Sequence, residues 1–143
     1  MENNLALQGK RPVLITIIAS AFILWALMVF FDFSEIIPEM SPKMNGKSVN
    51  VILGFRIFGT YAKITDVIQL ILIITMIYGL FTMKKTGYFL TFAYMVYAVV
   101  STHSWALMAT NLQTKRKLIF DLIGIFLSGA ICVVLYNYRK RFK

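Results

Sequence analysis

The stretch Val67–Met83, VIQLILIITMIYGLFTM, carries no Asp, Glu, Lys or Arg over its 17 residues and is closed by Lys84-Lys85-Thr86-Gly87. An α-helix needs about 17–25 apolar residues to cross a ~30 Å hydrocarbon core, so the run has the length and composition of a membrane span. A second uncharged run, Thr86–Thr114, follows at once, and so short a connection makes the two an antiparallel helical hairpin. Val13–Phe31 and Leu122–Tyr138 are uncharged as well. Lipid offers no partners to exposed backbone N–H and C=O groups. Four such runs therefore predict an all-α integral membrane four-helix bundle, one domain over residues 1–143, with spans at about 12–31, 63–83, 88–110 and 118–138.

The rest of the chain fits between these spans. Pro12 suits the first turn of a helix, where its missing N–H costs nothing. Residues 32–60 form the only sizeable extramembrane loop, with Asp32, Glu35, Glu39, a turn-like Asn45-Gly46 and a segment, Val49–Phe58, that alternates apolar residues at 49, 51, 53, 55 and 57. That alternation suits a strand or an interfacial segment, and the segment could equally begin a longer helix. Lys10-Arg11 before an apolar run, with Ala19-Ser20-Ala21 beyond, imitates a secretory signal. The apolar run continues to Phe31, however, which fits an uncleaved first span better.

Composition agrees. Apolar residues make up 59% of the chain and charged residues 15%, with a formal net charge of +9 from 15 basic and 6 acidic side chains; typical soluble domains hold ~45–50% and ~25%. The excess of positive charge would point to nucleic acid in a soluble protein. Here Lys10, Arg11, Lys84, Lys85, Arg139, Lys140, Arg141 and Lys143 flank the spans, where they anchor helices to lipid headgroups. The partner implied is the bilayer, and nucleic acid is excluded. With the termini in the cytoplasm, those 8 basic residues face 7 on the other side: Lys43, Lys47, Arg56, Lys63, Lys115, Arg116 and Lys117. Lys10-Arg11 before the first span and Asp32, Glu35 and Glu39 after it favour cytoplasmic termini in the cell membrane. Phe30, Phe31, Phe33, Trp105, Tyr136 and Tyr138 lie near span ends as interfacial anchors. The scattered methionines read as packing.

No phosphate loop, HExxH, GxSxG or kinase pattern is present, and the single cysteine, Cys132, permits neither an internal disulfide nor a thiolate metal cage. One histidine cannot alone hold a metal or a bis-histidine haem. No cofactor, metal or catalytic residue is expected, and the reading is of a protein that is not an enzyme.

Two family resemblances follow from short motifs. Lys10-Arg11-Pro12 leading into Ile15-Thr16-Ile17-Ile18-Ala19, the Gly79-Leu80-Phe81 end of the second span before Lys84-Lys85, and a basic tail resemble a group of small, uncharacterised four-span prokaryotic membrane proteins that has no agreed activity. Asp66, Gly79-Leu80-Phe81-Thr82 and His103 are similar to the DoxX-like family, whose clear first-span pattern is missing here. That second resemblance implies a membrane subunit of a quinone-linked redox complex.

Ionisable residues inside spans are costly and mark functional candidates. Asp66 lies about one turn inside the second span, Asp121 about one turn inside the fourth, and His103 about two turns before the end of the third. Alternating directions bring all three to the membrane half that carries the 32–60 loop. Asp121, Gly124, Ser128 and Cys132 share one stripe of the fourth helix, a helix-packing surface of small residues that turns Asp121 inward. Gln69 lies one turn below Asp66. These observations predict a polar pocket of Asp66, Gln69, His103 and Asp121, roofed by the loop and by Trp105. The alternative is that the two aspartates pair with Lys63 and Lys117 at headgroup level and that His103 is a packing residue.

Three functions remain open. The first is association, as an accessory subunit of a membrane-protein complex or as a homo-oligomer. The second is a small ion- or proton-coupled transporter or channel built on the polar cluster, and the third is the redox-complex subunit.

Overall fold

The computed structural model describes residues 11–36, 43–108 and 114–143. Four helices and a small sheet make up this part of the chain: α1 (Val13–Ser34), β1 (Lys43–Met44), β2 (Lys47–Ile52), β3 (Phe55–Phe58), α2 (Thr60–Phe81), α3 (Lys85–Met108) and α4 (Thr114–Tyr138), followed by a 3-10 turn, Arg139–Arg141. α1 packs on α2, α2 on α3 and α3 on α4, and a much thinner contact between α1 and α4 closes the ring.

Three stretches are long and apolar enough to cross a membrane among the described residues: Val13–Ser34, Thr60–Phe81 and Asp121–Arg141. The expected fourth span, α3, has 24 residues but is not among them. Its tyrosines at 88, 94 and 97 and the run Ser101-Thr102-His103-Ser104 dilute its hydropathy.

The all-α expectation needs correcting in the loop, which holds a three-stranded antiparallel sheet in the order β1-β2-β3. Asn45 and Gly46, with φ of 53° and 74°, form the turn that pairs Met44 with Lys47. Two consecutive positive φ values match the right-handed twist of the strands they join. Leu53 and Gly54, with φ of 51° and 84°, repeat the device and pair Ile52 with Phe55. The alternating Val49–Phe58 segment is thus two strands folded on each other. Gly59, at φ 63°, then turns the chain into α2 and donates its N–H to the Ser48 carbonyl at 2.8 Å, which ties the sheet to the helix it precedes.

At the opposite end, α2 and α3 meet backbone to backbone. A methyl group added at Gly79 would lie 2.6 Å from the Gly87 nitrogen, and one added at Gly87 would lie 2.6 Å from the Leu80 nitrogen. Only two glycines permit this approach. α2 ends just beyond it: Lys84 N–H donates to the Gly79 carbonyl at 2.8 Å and Met83 N–H to Leu80 at 3.3 Å, with Met83 in the left-handed region at φ 53°, the pattern of a Schellman cap. The tail seals this end. Lys143 donates its N–H to the Met83 carbonyl and accepts from Lys85 N–H, at 2.8 and 2.9 Å. Phe142 is buried, with its ring 5.5 Å from that of Tyr88.

The tightly packed core gathers toward this end. Ile15, Ala19, Ile73, Met76, Leu80 and Leu135 are all at most 1% exposed. Gly79→Ala and Gly87→Ala are each expected to lower stability by about 1–3 kcal/mol, the usual cost of forcing atoms into a packed site. Gly129→Ala, where an added methyl meets nothing within 4 Å, is expected to leave stability unchanged or slightly raised. Thermal unfolding of the three variants in one detergent checks this.

Candidate functional site

The last turn of α1 and the sheet are joined through Glu35. Its backbone caps α1 in the left-handed region at φ 53°. Its carboxylate accepts from Lys43 at 2.5 Å, from Ser48 at 3.2 Å and from Lys63 at 2.6 Å. One side chain therefore holds α1, β1, β2 and α2 together. These three donors, Lys43 foremost, hold its carboxyl at about 2, below the ordinary 4.5.

Asp66 is buried, at 6% exposed, and takes its partner from the sheet. The Asn50 side-chain amide donates to Asp66 Oδ1 at 2.5 Å and to Thr65 Oγ1 at 2.9 Å, while its oxygen accepts from Val51 N–H at 2.7 Å. Nearer the middle of the bundle, Gln69 donates to the Tyr94 hydroxyl at 2.9 Å. Tyr94 also packs edge-on against Phe22 of α1 with ring centres 6.3 Å apart. Tyr94 of α3 thus fastens α1 and α2 together.

The third polar pair joins α3 to α4. His103 Nδ1 lies 2.8 Å from Asp121 Oδ2, within hydrogen-bond distance. The other Asp121 oxygen, Oδ1, is buried without a partner among the described residues. The histidine stands at the edge of the bundle, with its side chain 55% exposed. One turn further along α4, Gly124 faces Thr102, whose methyl would touch an added methyl at 3.0 Å. The inward stripe continues with Ser128, which is buried, and Cys132, which is partly so.

Behind these pairs lie two cavities. The larger, about 600 Å³, sits at the seam where α1 and α4 barely touch: Phe22 and Trp25 face Gly124 and Ser128 across it, Tyr94 and Thr102 form its back, and Asn50 and Val51 of β2 close its sheet end. Among the described residues that line it, none is Asp, Glu, Lys, Arg or His. The smaller, about 420 Å³, lies between α2 and α3 among Ile68, Leu72, Leu90 and Ala93 and shares Gln69 and Tyr94 with the first.

The four residues expected to line one polar pocket are therefore divided. His103 and Asp121 come together, Asp66 is taken by Asn50, and only Gln69 lines the central cavity. The alternative pairing is not found for Lys63, which bonds Glu35; the side chains of Lys117 and Trp105 lie outside the described residues. The loop does form a roof, through Asn50 and Val51. Among the described residues no group of three or more His, Cys, Asp or Glu side chains could hold a metal ion.

Glu35, Asn50 and Tyr94 were not legible as site residues. Asn50 alone left a signal, as a polar interruption within an apolar strand.

Of the flanking cations, Lys10 lies outside the described residues. Four others rest on rings at one end of the bundle: Arg11 on Phe81, Lys84 on Tyr78, Arg139 on Tyr136 and Arg141 on Tyr138, at 3.8–5.6 Å. No family model, curated protein or solved structure matches the chain.

A carboxyl held low in the folded state stabilises it above its unfolded value, and that contribution fades as pH falls. The Glu35 contribution should thus be complete above pH 4.5 and lost progressively as pH falls toward 2. Comparing thermal midpoints of the parent and Glu35→Gln from pH 6 to pH 2.5 reads this out. The parent is expected to be more stable at pH 6, and the gap is expected to shrink steadily between about pH 4.5 and pH 2.5 without closing fully above the folded value of about 2.

Proposed function

We propose that the chain is a non-enzymatic integral membrane protein that crosses the cell membrane four times, termini in the cytoplasm, and acts by holding another molecule within the bundle. The observation that carries this reading is the uncharged cavity at the α1–α4 seam. Cavities of about 300–1,000 Å³ with mostly apolar walls and a few fixed polar groups are the usual form of a small-molecule site. An ion pathway would need charged or closely spaced polar groups along its course, and among the described residues this cavity has no Asp, Glu, Lys, Arg or His in its wall.

The fourth span in this reading is α3. It lies between α2 and α4, and part of its polar content turns to protein: Thr91 is fully buried, Tyr94 bonds Gln69 of α2, and Thr102 packs against Gly124 of α4. Phe89, Val96 and Val100 are exposed on its other face, where lipid takes them up. A span flanked by protein can carry more polar residues than one surrounded by lipid.

The first span supports the orientation. At the hairpin-and-tail end, the described charged residues are Arg11, Lys84, Lys85, Arg139, Lys140, Arg141 and Lys143. At the sheet end they are Lys43, Lys47, Arg56, Lys63, Lys115, Arg116 and Lys117 with Asp32, Glu35, Asp66 and Asp121, so the described Lys and Arg counts are equal. The orientation therefore follows the first span, with Lys10-Arg11 before it and Asp32 and Glu35 after it.

Reporter cysteines in a Cys132→Ser background test both topology and orientation. In intact cells, a membrane-impermeant maleimide should label Lys47→Cys and leave Lys140→Cys unlabelled until the membrane is opened. Labelling of both sites in intact cells, or the reverse pattern, would contradict the proposal.

A further inference from the structure

We infer that the α1–α4 cavity is a binding site for an uncharged lipid, one chain of which lies along the seam with its polar head beneath β2. This inference rests on the membrane-binding reading above and names its ligand. The shape sets the chain. The cavity follows α1 from Ile18 to Trp25 and α4 from Ile131 to Gly124, a run of about 10 Å along each helix at 1.5 Å per residue. Its long direction is the helix axis, which in a spanning bundle is also the direction of lipid chains.

The entrance sets the source of the ligand. α1 and α4 make the thinnest of the helix contacts around the ring, so the seam opens sideways to lipid. Ala21 and Ala98 keep the walls shallow, and Gly124 leaves Thr102 room. The head position sets the charge. The sheet end of the cavity is closed by Asn50, with Ser101, Thr102 and Ser128 on the walls, all neutral hydrogen-bonding groups. A phosphate or an ammonium there would lose water and meet no opposite charge among the described lining residues, which disfavours both. A hydroxyl or ester meets partners of its own kind, so the site discriminates against charged headgroups.

Trp25 lines the cavity and reports on its contents. In a Trp105→Phe background it is the sole tryptophan. The protein is reconstituted in phosphatidylcholine vesicles with increasing fractions of chain-brominated diacylglycerol, or of chain-brominated phosphatidylglycerol, and Trp25 quenching is followed. The inference expects saturable quenching by diacylglycerol, with half-saturation at a mole fraction at least about tenfold below that needed for phosphatidylglycerol.

Ala98→Leu and Ala21→Leu, which fill the cavity from two different helices, are each expected to shift the diacylglycerol midpoint at least about tenfold. Two separate variants guard against one failing to fold. Quenching that rises in proportion to mole fraction, alike for both lipids, overturns the site, as does saturation by phosphatidylglycerol alone. Absence of quenching by either lipid would instead show that the chain does not embed Trp25 in the bilayer, and would overturn the membrane reading itself.

Discussion

The approach of Gly79 to Gly87 governs how the helices stand. With no side chain on either residue, α2 and α3 touch through their backbones at the hairpin end, and the three-residue connection Thr82-Met83-Lys84 becomes long enough to join them. The tail then has a fixed surface to close on, which is why Lys143 can pair with Met83 and Lys85 and Phe142 can pack on Tyr88. Most of the fully buried apolar side chains follow this contact into the same half of the bundle. Toward the sheet the packing is different: polar pairs replace close contacts, and the α1–α4 seam stays thinly joined. Tight packing at one end and a cavity toward the other are thus two parts of one arrangement.

The sheet end is held by hydrogen bonds and ion pairs where the hairpin end is held by packing. Glu35, Asn50 and Tyr94 each tie together elements distant in the chain: Glu35 joins α1, the sheet and α2; Asn50 joins β2 to α2; and Tyr94 joins α3 to α1 and α2. Partly exposed ion pairs contribute little singly, but three donors converging on one carboxylate fix its geometry. This division leaves the cavity walls neutral, because the charged groups nearby are engaged elsewhere: Asp66 with Asn50, and Asp121 with His103.

Much of the helical part was legible because a charge-free run of sufficient length has few alternatives in lipid. The Lys84-Lys85-Thr86-Gly87 turn gave the hairpin, and the 121/124/128/132 spacing gave the inward face of α4 that now meets His103 and Thr102. The sheet was half visible. Asn45-Gly46 announces a turn, whereas Leu53-Gly54 does not, because leucine at positive φ carries no propensity signal. The residues expected in one polar pocket are divided for a related reason. Depth along a helix follows from counting residues, so Asp66, His103 and Asp121 all fall toward the sheet end, but partner choice depends on rotation and on neighbours such as Asn50 that belong to another element. α3 was read from length and absence of charge, and its hydropathy is lowered by tyrosines and hydroxyl residues, of which Tyr94 bonds Gln69 of α2 and Thr102 meets Gly124 of α4.

One contrast underlies the proposal: a closely packed hairpin end, and a thinly joined α1–α4 seam proposed to take a ligand toward the sheet. Paired spin labels measure it directly. One pair, Val13→Cys with Tyr136→Cys, sits near the hairpin end; the other, Leu24→Cys with Phe126→Cys, sits beside the seam; all four positions are exposed. In phosphatidylcholine bilayers the first pair should give a narrow distance distribution that added diacylglycerol leaves unchanged, and the second a broad one that diacylglycerol narrows. Equal widths at both positions, or a seam pair indifferent to diacylglycerol, would contradict the account.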